Sequence, residues 1–347
     1  MTVTTVLGEI ADDELGVVLP HEHLIANATG QWIFPADAAD LAEYTRDFEL
    51  RMRGTVQTHP FSYRHAMHQL ELEPALEELA SFKARGGGTV VDLGIPGFGR
   101  DPVALKALAL MSGVNIVMGC GEYVEMAHSP YVRHSSAEVV RDVLLDELTV
   151  GVGTTGIRAG IIGEIGTGNP PSPEELKVLR GAALAQAETG VALNIHRTIF
   201  PEALAGLEAL DVALAVGADP AKVIVSHCDE RPGAEFALEV ARRGAWVELD
   251  TFGMEQWAVS AERDGAFPER AFDHHRIDIL RALASAGYLG QTLISHDMAM
   301  KPQFQRFGGW GLAHIHDTIV PRLLTLGFTP ADIDLLQRTN PRRALAS

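Results

Sequence analysis

Two histidines one residue apart close the first apolar run of the chain, Val18-Leu19-Pro20-His21-Glu22-His23. In an extended strand, side chains two positions apart point to the same face. His21 and His23 would therefore leave the strand end side by side, as half of a zinc site. A lone His-x-His is a weak signal. It gains force because other apolar runs end in the same kind of residue. Ala159–Glu164 ends in Glu164, Val191–His196 in His196, Val223–His227 in His227, and Leu293–Asp297 in Asp297. Taken singly, each has a plain structural reading: a hydrogen-bonded core histidine, or Glu164 paired with an arginine. Together they form a nitrogen and oxygen donor set suited to Zn²⁺, with Mn²⁺, Co²⁺ or Fe²⁺ as substitutes. The set exceeds what one tetrahedral catalytic zinc uses while keeping an open position. Two divalent metal ions sharing Glu164 fit better. Strand parity turns Glu22, Cys228 and His296 away from the metals, with His296 behind the ligands rather than among them.

The elements that must position these donors are short Val- and Ile-rich runs alternating with longer amphipathic stretches. Thr4–Leu7 and Gly16–Pro20, around the acidic turn ADDELG, read as a small N-terminal β-hairpin leading into the first barrel strand. An insertion of roughly residues 25–63 precedes a helix expected over Arg64–Arg85, ended by Gly86-Gly87-Gly88. Further strands are predicted at Thr89–Leu93, Val114–Met118, Arg158–Glu164, Val191–Ile195, Val223–Ser226, Ala245–Leu249 and Thr292–Ser295, separated by helices. Ser135-Ser136-Ala137-Glu138 opens one helix as a capping box, and Ser172-Pro173-Glu174-Glu175 opens the next with serine as N-cap and proline in the first turn. A terminal helical pair is expected over Ala313–Leu326 and Pro330–Leu336. Eight buried parallel strands, each followed by a helix, make an α/β protein and suggest one closed (β/α)₈ TIM barrel over residues 1–347. The alternative, a doubly wound open sheet, lacks a Gly-x-Gly-x-x-Gly after the first strand. Barrel active sites lie at the C-terminal strand ends, where the donors fall.

Composition narrows the function. A net charge of −18, from 28 basic and 46 acidic residues, argues against nucleic acid, which needs a basic stripe. The 46% hydrophobic and 21% charged contents are globular values. Two cysteines, Cys120 and Cys228, are too few for a disulfide framework and suit a reducing compartment. With no leader pattern at the start and no membrane-length apolar run, a cytoplasmic protein acting on a small-molecule substrate is expected.

The stretches VLPHEHL, RAGIIGEIGTG, LNIHRT, VIVSHCDE, LISHDMAMK and NPRRALA resemble the phosphotriesterase family of the amidohydrolase superfamily, over essentially the whole chain. The resemblance implies a (β/α)₈ barrel with a binuclear metal centre. It would place His21, His23 and Asp297 on the buried metal, His196 and His227 on the more exposed one, and Glu164 between them. The best-known organophosphate-degrading members bridge their metals with a carboxylated lysine. The stretch GIIGEIG has none and is similar to the glutamate-bridged branch. Related barrels are often dimers, so a homodimer is an expectation.

The chemistry implied is hydrolysis by a metal-bridging hydroxide attacking a polarised carbonyl, with Asp297 as proton shuttle. A lactone or carboxylic ester is the leading substrate. An N-acyl amide is the alternative, then a weak phosphotriester activity. A metal-binding barrel without catalysis and a mononuclear deaminase are the remaining rivals. Pocket residues are sought on the long segments 25–63, 251–273 and 298–311. Tyr123, by resemblance, would bond the substrate or the bridging water. Trp32, Trp257 and Arg263 could line the pocket, and Arg197 could meet a substrate carboxylate or phosphate. His65-x-x-His68 with Glu71, His274-His275 and His314-x-His316-Asp317 read as surface or packing groups.

Overall fold

The computed structural model describes residues 1–198, 203–255 and 270–347. Twelve strands occur among them: β1 Thr2–Thr5, β2 Gly8–Ala11, β3 Val17–Glu22, β4 Ala26–Asn27, β5 His68–Gln69, β6 Gly87–Asp92, β7 Asn115–Cys120, β8 Ile161–Thr167, β9 Leu193–Arg197, β10 Val223–Val225, β11 Trp246–Leu249 and β12 Thr292–Ile294. Eight of these form one sheet in the order β12-β11-β10-β9-β8-β7-β6-β3. All seven neighbouring pairs in that order are parallel. The two end strands meet at the rim, where Asp297 N donates to His21 O and His23 N to Met298 O, both at 3.2 Å. The sheet is thus a TIM barrel, as the alternation of runs predicted, preceded by an antiparallel hairpin.

The hairpin differs from the expected one. β1 pairs with β2, whereas ADDEL forms a tight helical turn, Asp12–Leu15, and Gly16–Pro20 belongs to the first barrel strand. The turn is local: Thr5 Oγ1 donates to Gly8 O at 2.8 Å, and Gly8 takes φ 118°, which glycine tolerates. The helix expected over Arg64–Arg85 is also shorter, Leu72–Ala84. Upstream, β5 pairs antiparallel with β4, which commits the backbone of His68 and Gln69 to extended structure.

Helices cover the outside. Their apolar faces and the outward strand residues, such as Leu19, Val90, Ile162 and Val225, make the main core. A second cluster fills the N-terminal end of the barrel. It takes one inward residue from each strand run: Val18, Val91, Val117, Ile161, Ala192, Ile224, Trp246 and Leu293. Val3, Leu15 and the closing Ala344-Leu345-Ala346 plug that end from below. Gly88 allows the plug to seat, since a Cβ there would lie 2.4 Å from Leu15 O.

Candidate metal centre

Moving two residues along each strand from the apolar layer changes its chemistry. Asn194, Ser226, Glu248 and Ser295 follow Ala192, Ile224, Trp246 and Leu293 at that spacing and are all buried. Three of them bond to one another: Ser226 Oγ lies 2.7 Å from Asn194 Oδ1 and 3.0 Å from Glu248 Oε2, and Asn194 Nδ2 donates to Glu248 Oε2 (2.8 Å), while Ser295 Oγ accepts from His21 N at 3.1 Å. Two further residues on come His196, Asp250 and Asp297, with His227 beside them. The barrel is filled by an apolar floor, a hydrogen-bonded polar layer and a layer of donors open to the rim.

In that upper layer Glu164 Oε1 is the meeting point. It lies 2.5 Å from His196 Nδ1, 3.2 Å from His227 Nε2 and 3.6 Å from His21 Nε2. Asp297 Oδ1 lies 3.0 Å from His23 Nε2 and 3.5 Å from His21 Nε2. Two donor groups result, His21–Glu164–His227 and His21–His23–Asp297, each with ligand atoms within 4.8 Å of one another. The structure therefore brings together all six residues proposed as metal ligands. Asp297 is the outermost, its side chain 21% exposed, while His21 and His23 are buried. Glu164 lies inside β8 rather than at its end, because the strand continues to Thr167.

Asp250 is the functional residue the sequence reading missed. Its Oδ2 lies 2.9 Å from His21 Nδ1, its Oδ1 2.9 Å from His227 Nδ1, and both oxygens accept from His227 N at 3.0 Å. Glu248 Oε2 adds a second acceptor for His21 Nδ1 at 3.1 Å. Both imidazoles consequently carry their proton on Nδ1 and turn Nε2 inward. The signal was present: the run AWVELD ends in a carboxylate, as the other donor-bearing runs do.

The electrostatics follow from this crowding. Burial alone would lower the pKa of His21 and His227, but Asp250's charge and hydrogen bonds outweigh it and raise both well above the usual imidazole range. Burial would raise Glu164, yet the charges and hydrogen bonds of His196 and His227 hold it well below the carboxylate range. Asp229, behind the site, is pushed up to about 7 by burial and the nearby Asp250 charge.

Donor chemistry and geometry both fit divalent cations. His21 Nε2 is buried and makes no hydrogen bond, and neither does His23 Nδ1. A buried polar atom without a partner is costly, and His21 Nε2 is aimed between two carboxylates as a cation ligand would be.

Around the donors, Tyr123 Oη lies 3.3 Å from His196 Nε2 and 3.5 Å from Gln31 Nε2. Burial, then the Glu164 and Asp297 charges, hold its hydroxyl protonated well above its usual range. Phe98 packs between Tyr123 and His23, with ring centres 5.3 and 4.9 Å away. Arg197 does not face this space. Strand alternation turns it outward, where its guanidinium lies 3.7 Å from the Phe236 ring and Nε donates to Ala205 O at 2.9 Å. A substrate contact from Arg197 is therefore corrected to a structural role. Trp32 is anchored by Nε1 donating to Ser62 O at 2.7 Å. Trp257 and Arg263 lie outside the described residues. His65 and His68 stack edge-on away from the donors, at 4.8 Å. His314 Nε2 pairs with Asp273 at 2.7 Å.

A (β/α)₈ barrel with imidazoles and carboxylates converging on a shared glutamate at its C-terminal rim defines a metal-dependent hydrolase. Comparison with known proteins agrees and is specific. The sequence model of the Phosphotriesterase family matches residues 1–345, and the chain belongs to that family. It is 35% identical to the N-acetyltaurine hydrolase of Rattus norvegicus over 345 residues, 99% of this chain and 97% of the relative. Among solved structures, a resiniferatoxin-binding protein from Rhodobacter sphaeroides superposes with TM-score 0.93 at 32% identity, covering 99% of this chain and 94% of that one. A variant of a PTE-like lactonase from Deinococcus radiodurans gives TM-score 0.76 at 26% identity, covering 99% and 100%.

Proposed function

We propose that this chain hydrolyses the amide bond of a small N-acyl amine. The observation that carries the reading is its 35% identity to an N-acetyltaurine hydrolase across nearly the whole of both chains. This reverses the order taken from the sequence, where a lactone or carboxylic ester came first. Those substrates stay as the second reading, favoured by the likeness to the Deinococcus lactonase. The absence of a lysine from GIIGEIG ranks phosphotriester cleavage last.

His21, His23 and Asp297 would hold one divalent cation and His196 and His227 the other, with Glu164 between them; Zn²⁺ suits the donor set. When bound, such a pair acidifies water and polarises a carbonyl. The chain's own groups do the rest. Asp250 and Glu248 fix the imidazoles so that Nε2 of His21 and His227 stays inward. Asp297, the most exposed carboxylate of the set, accepts the proton of the attacking water and returns it to the departing nitrogen. That return is indispensable for an amide, whose amine leaves as a neutral group only once protonated. Tyr123 Oη, a neutral donor beside His196, is placed to bond the substrate carbonyl oxygen.

A substrate panel tests this: N-acyl amines followed by amine release, lactones by proton release, and an aryl phosphotriester by its chromophore. Turnover of N-acyl amines above the lactones is expected. Fast lactone cleavage with no amine release would restore the original order.

A further inference from the structure

Glu22, the residue between the two histidines of the first strand, takes no part in the donor set. It is fully buried, and its carboxylate collects four hydrogen bonds from the opposite side of the seam. Oε1 accepts from Ser295 Oγ at 2.8 Å, His296 N at 3.1 Å and His296 Nδ1 at 2.7 Å. Oε2 accepts from Met298 N at 3.1 Å. The two backbone donors are those of the residues on either side of Asp297.

Asp297 needs such support. Its backbone lies in the left-handed region, φ 51°, which only glycine enters routinely and aspartate only occasionally. Its own N–H is held by His21 O at 3.2 Å, and its carbonyl accepts from Gln303 Nε2 at 3.2 Å. Gln303 Oε1 in turn accepts from Ala299 N (2.8 Å) and Met300 N (2.6 Å), bracing the chain beyond. The tautomer of His296 follows: Nε2 accepts from Ile315 N at 3.2 Å, so Nδ1 carries the proton given to Glu22.

We propose that Glu22 is a positioning residue that presents Asp297 to the metals and to the substrate, by holding the backbone on both sides of it in a left-handed turn. The inference rests on the reading of Asp297 as ligand and proton carrier, and is independent of which acyl bond is cleaved. Glu22→Gln keeps the shape but sets an amide NH₂ against N–H donors.

The test is a double-mutant cycle with Asp297→Asn, read on two signals. One is retention of Zn²⁺ or Co²⁺ alone in equilibrium dialysis, which needs no substrate and stands even if the amide reading fails. The other is kcat on the best panel substrate. Glu22→Gln should weaken both by roughly ten- to hundredfold, and should add little once Asp297 is already Asn. Equal losses in both backgrounds, or no loss in either signal, would overturn the proposal. Gln303→Met, which releases the Asp297 carbonyl from outside the seam, should show the same non-additivity and decides the matter if Glu22→Gln does not fold.

Discussion

The two ends of this barrel are built on opposite principles. The N-terminal end is a plug. Its inward layer is apolar, and Thr2 and Ser347 close it with two backbone bonds, Thr2 N to Ser347 O at 3.2 Å and Ser347 N to Thr2 O at 3.1 Å. Lys222 Nζ donates to the carbonyls of Arg343, Ala344 and Ala346, and Arg342 Nε to Asp12 at 2.7 Å. The C-terminal end holds the two described non-glycine residues with positive φ, His227 and Asp297. It also holds buried polar atoms without partners, among them His21 Nε2, His23 Nδ1 and Glu248 Oε1. Strain and unmet hydrogen bonding cluster at functional sites when the rest of the fold over-determines them. Here the apolar floor and the polar layer between the two ends supply that rigidity.

If this division holds, changes at the rim should remove activity while sparing the fold, and changes at the plug should do the reverse. Asp297→Asn should give the largest effect, lowering kcat by roughly 10²–10⁴-fold with little change in melting temperature. Full turnover in that variant would remove Asp297 from the mechanism. Asp250→Asn comes next: one shared acceptor for two imidazoles is lost, and metal retention should fall roughly ten- to hundredfold, measured by dialysis. Leu345→Ala tests the other end. The side chain is 2% exposed, so its truncation should cost about 2–5 kcal/mol in denaturant unfolding, with kcat per folded molecule unchanged.

A smaller, sharper test uses pH. In the metal-free chain the pKa values of His21 and His227 are raised, so their charge pairs with Asp250 stabilise the fold fully below the unfolded value near 6.5. That contribution is lost as pH rises through the raised folded values. Cations compete with the same protons. The gain in melting temperature on adding Zn²⁺ should therefore grow with pH. A gain that shrinks as pH rises would contradict the arrangement of Asp250 between the two imidazoles.

How much of this could be read beforehand depended on periodicity. Strand alternation alone places His196 and Asp297 inward and His296 behind them, because every second residue of a strand shares a face; His21 and His227 reach the same layer only by leaving that phase, at the register shift after Leu19 and at the positive φ of His227. The polar layer was equally periodic: LNIH, VSH, VEL and ISH each carry a polar residue two before, or one before, the donor position. Reading only what ends each run left that layer unnoticed, and Asp250 was missed although it ends its own run. Arg197 was misplaced for the converse reason, since adjacency in sequence to His196 means opposite faces in a strand. The hairpin failed because both Gly8–Ala11 and Gly16–Pro20 are extended, and the choice between them was made by the local Thr5–Gly8 turn. Residues 25–69 have no dominant period, so their short helices and the β4–β5 pair are set by what they cover.

The meeting of Thr2 and Ser347 under the floor has a practical corollary. Thr2 and Ser347 both lie on the side remote from the mouth, so a tether attached beside either residue would point the opening toward the bulk solution. Removing Ala344–Ser347 is a different operation: it withdraws Leu345 from the cylinder and should let water reach the underside of the layer on which the candidate metal ligands stand.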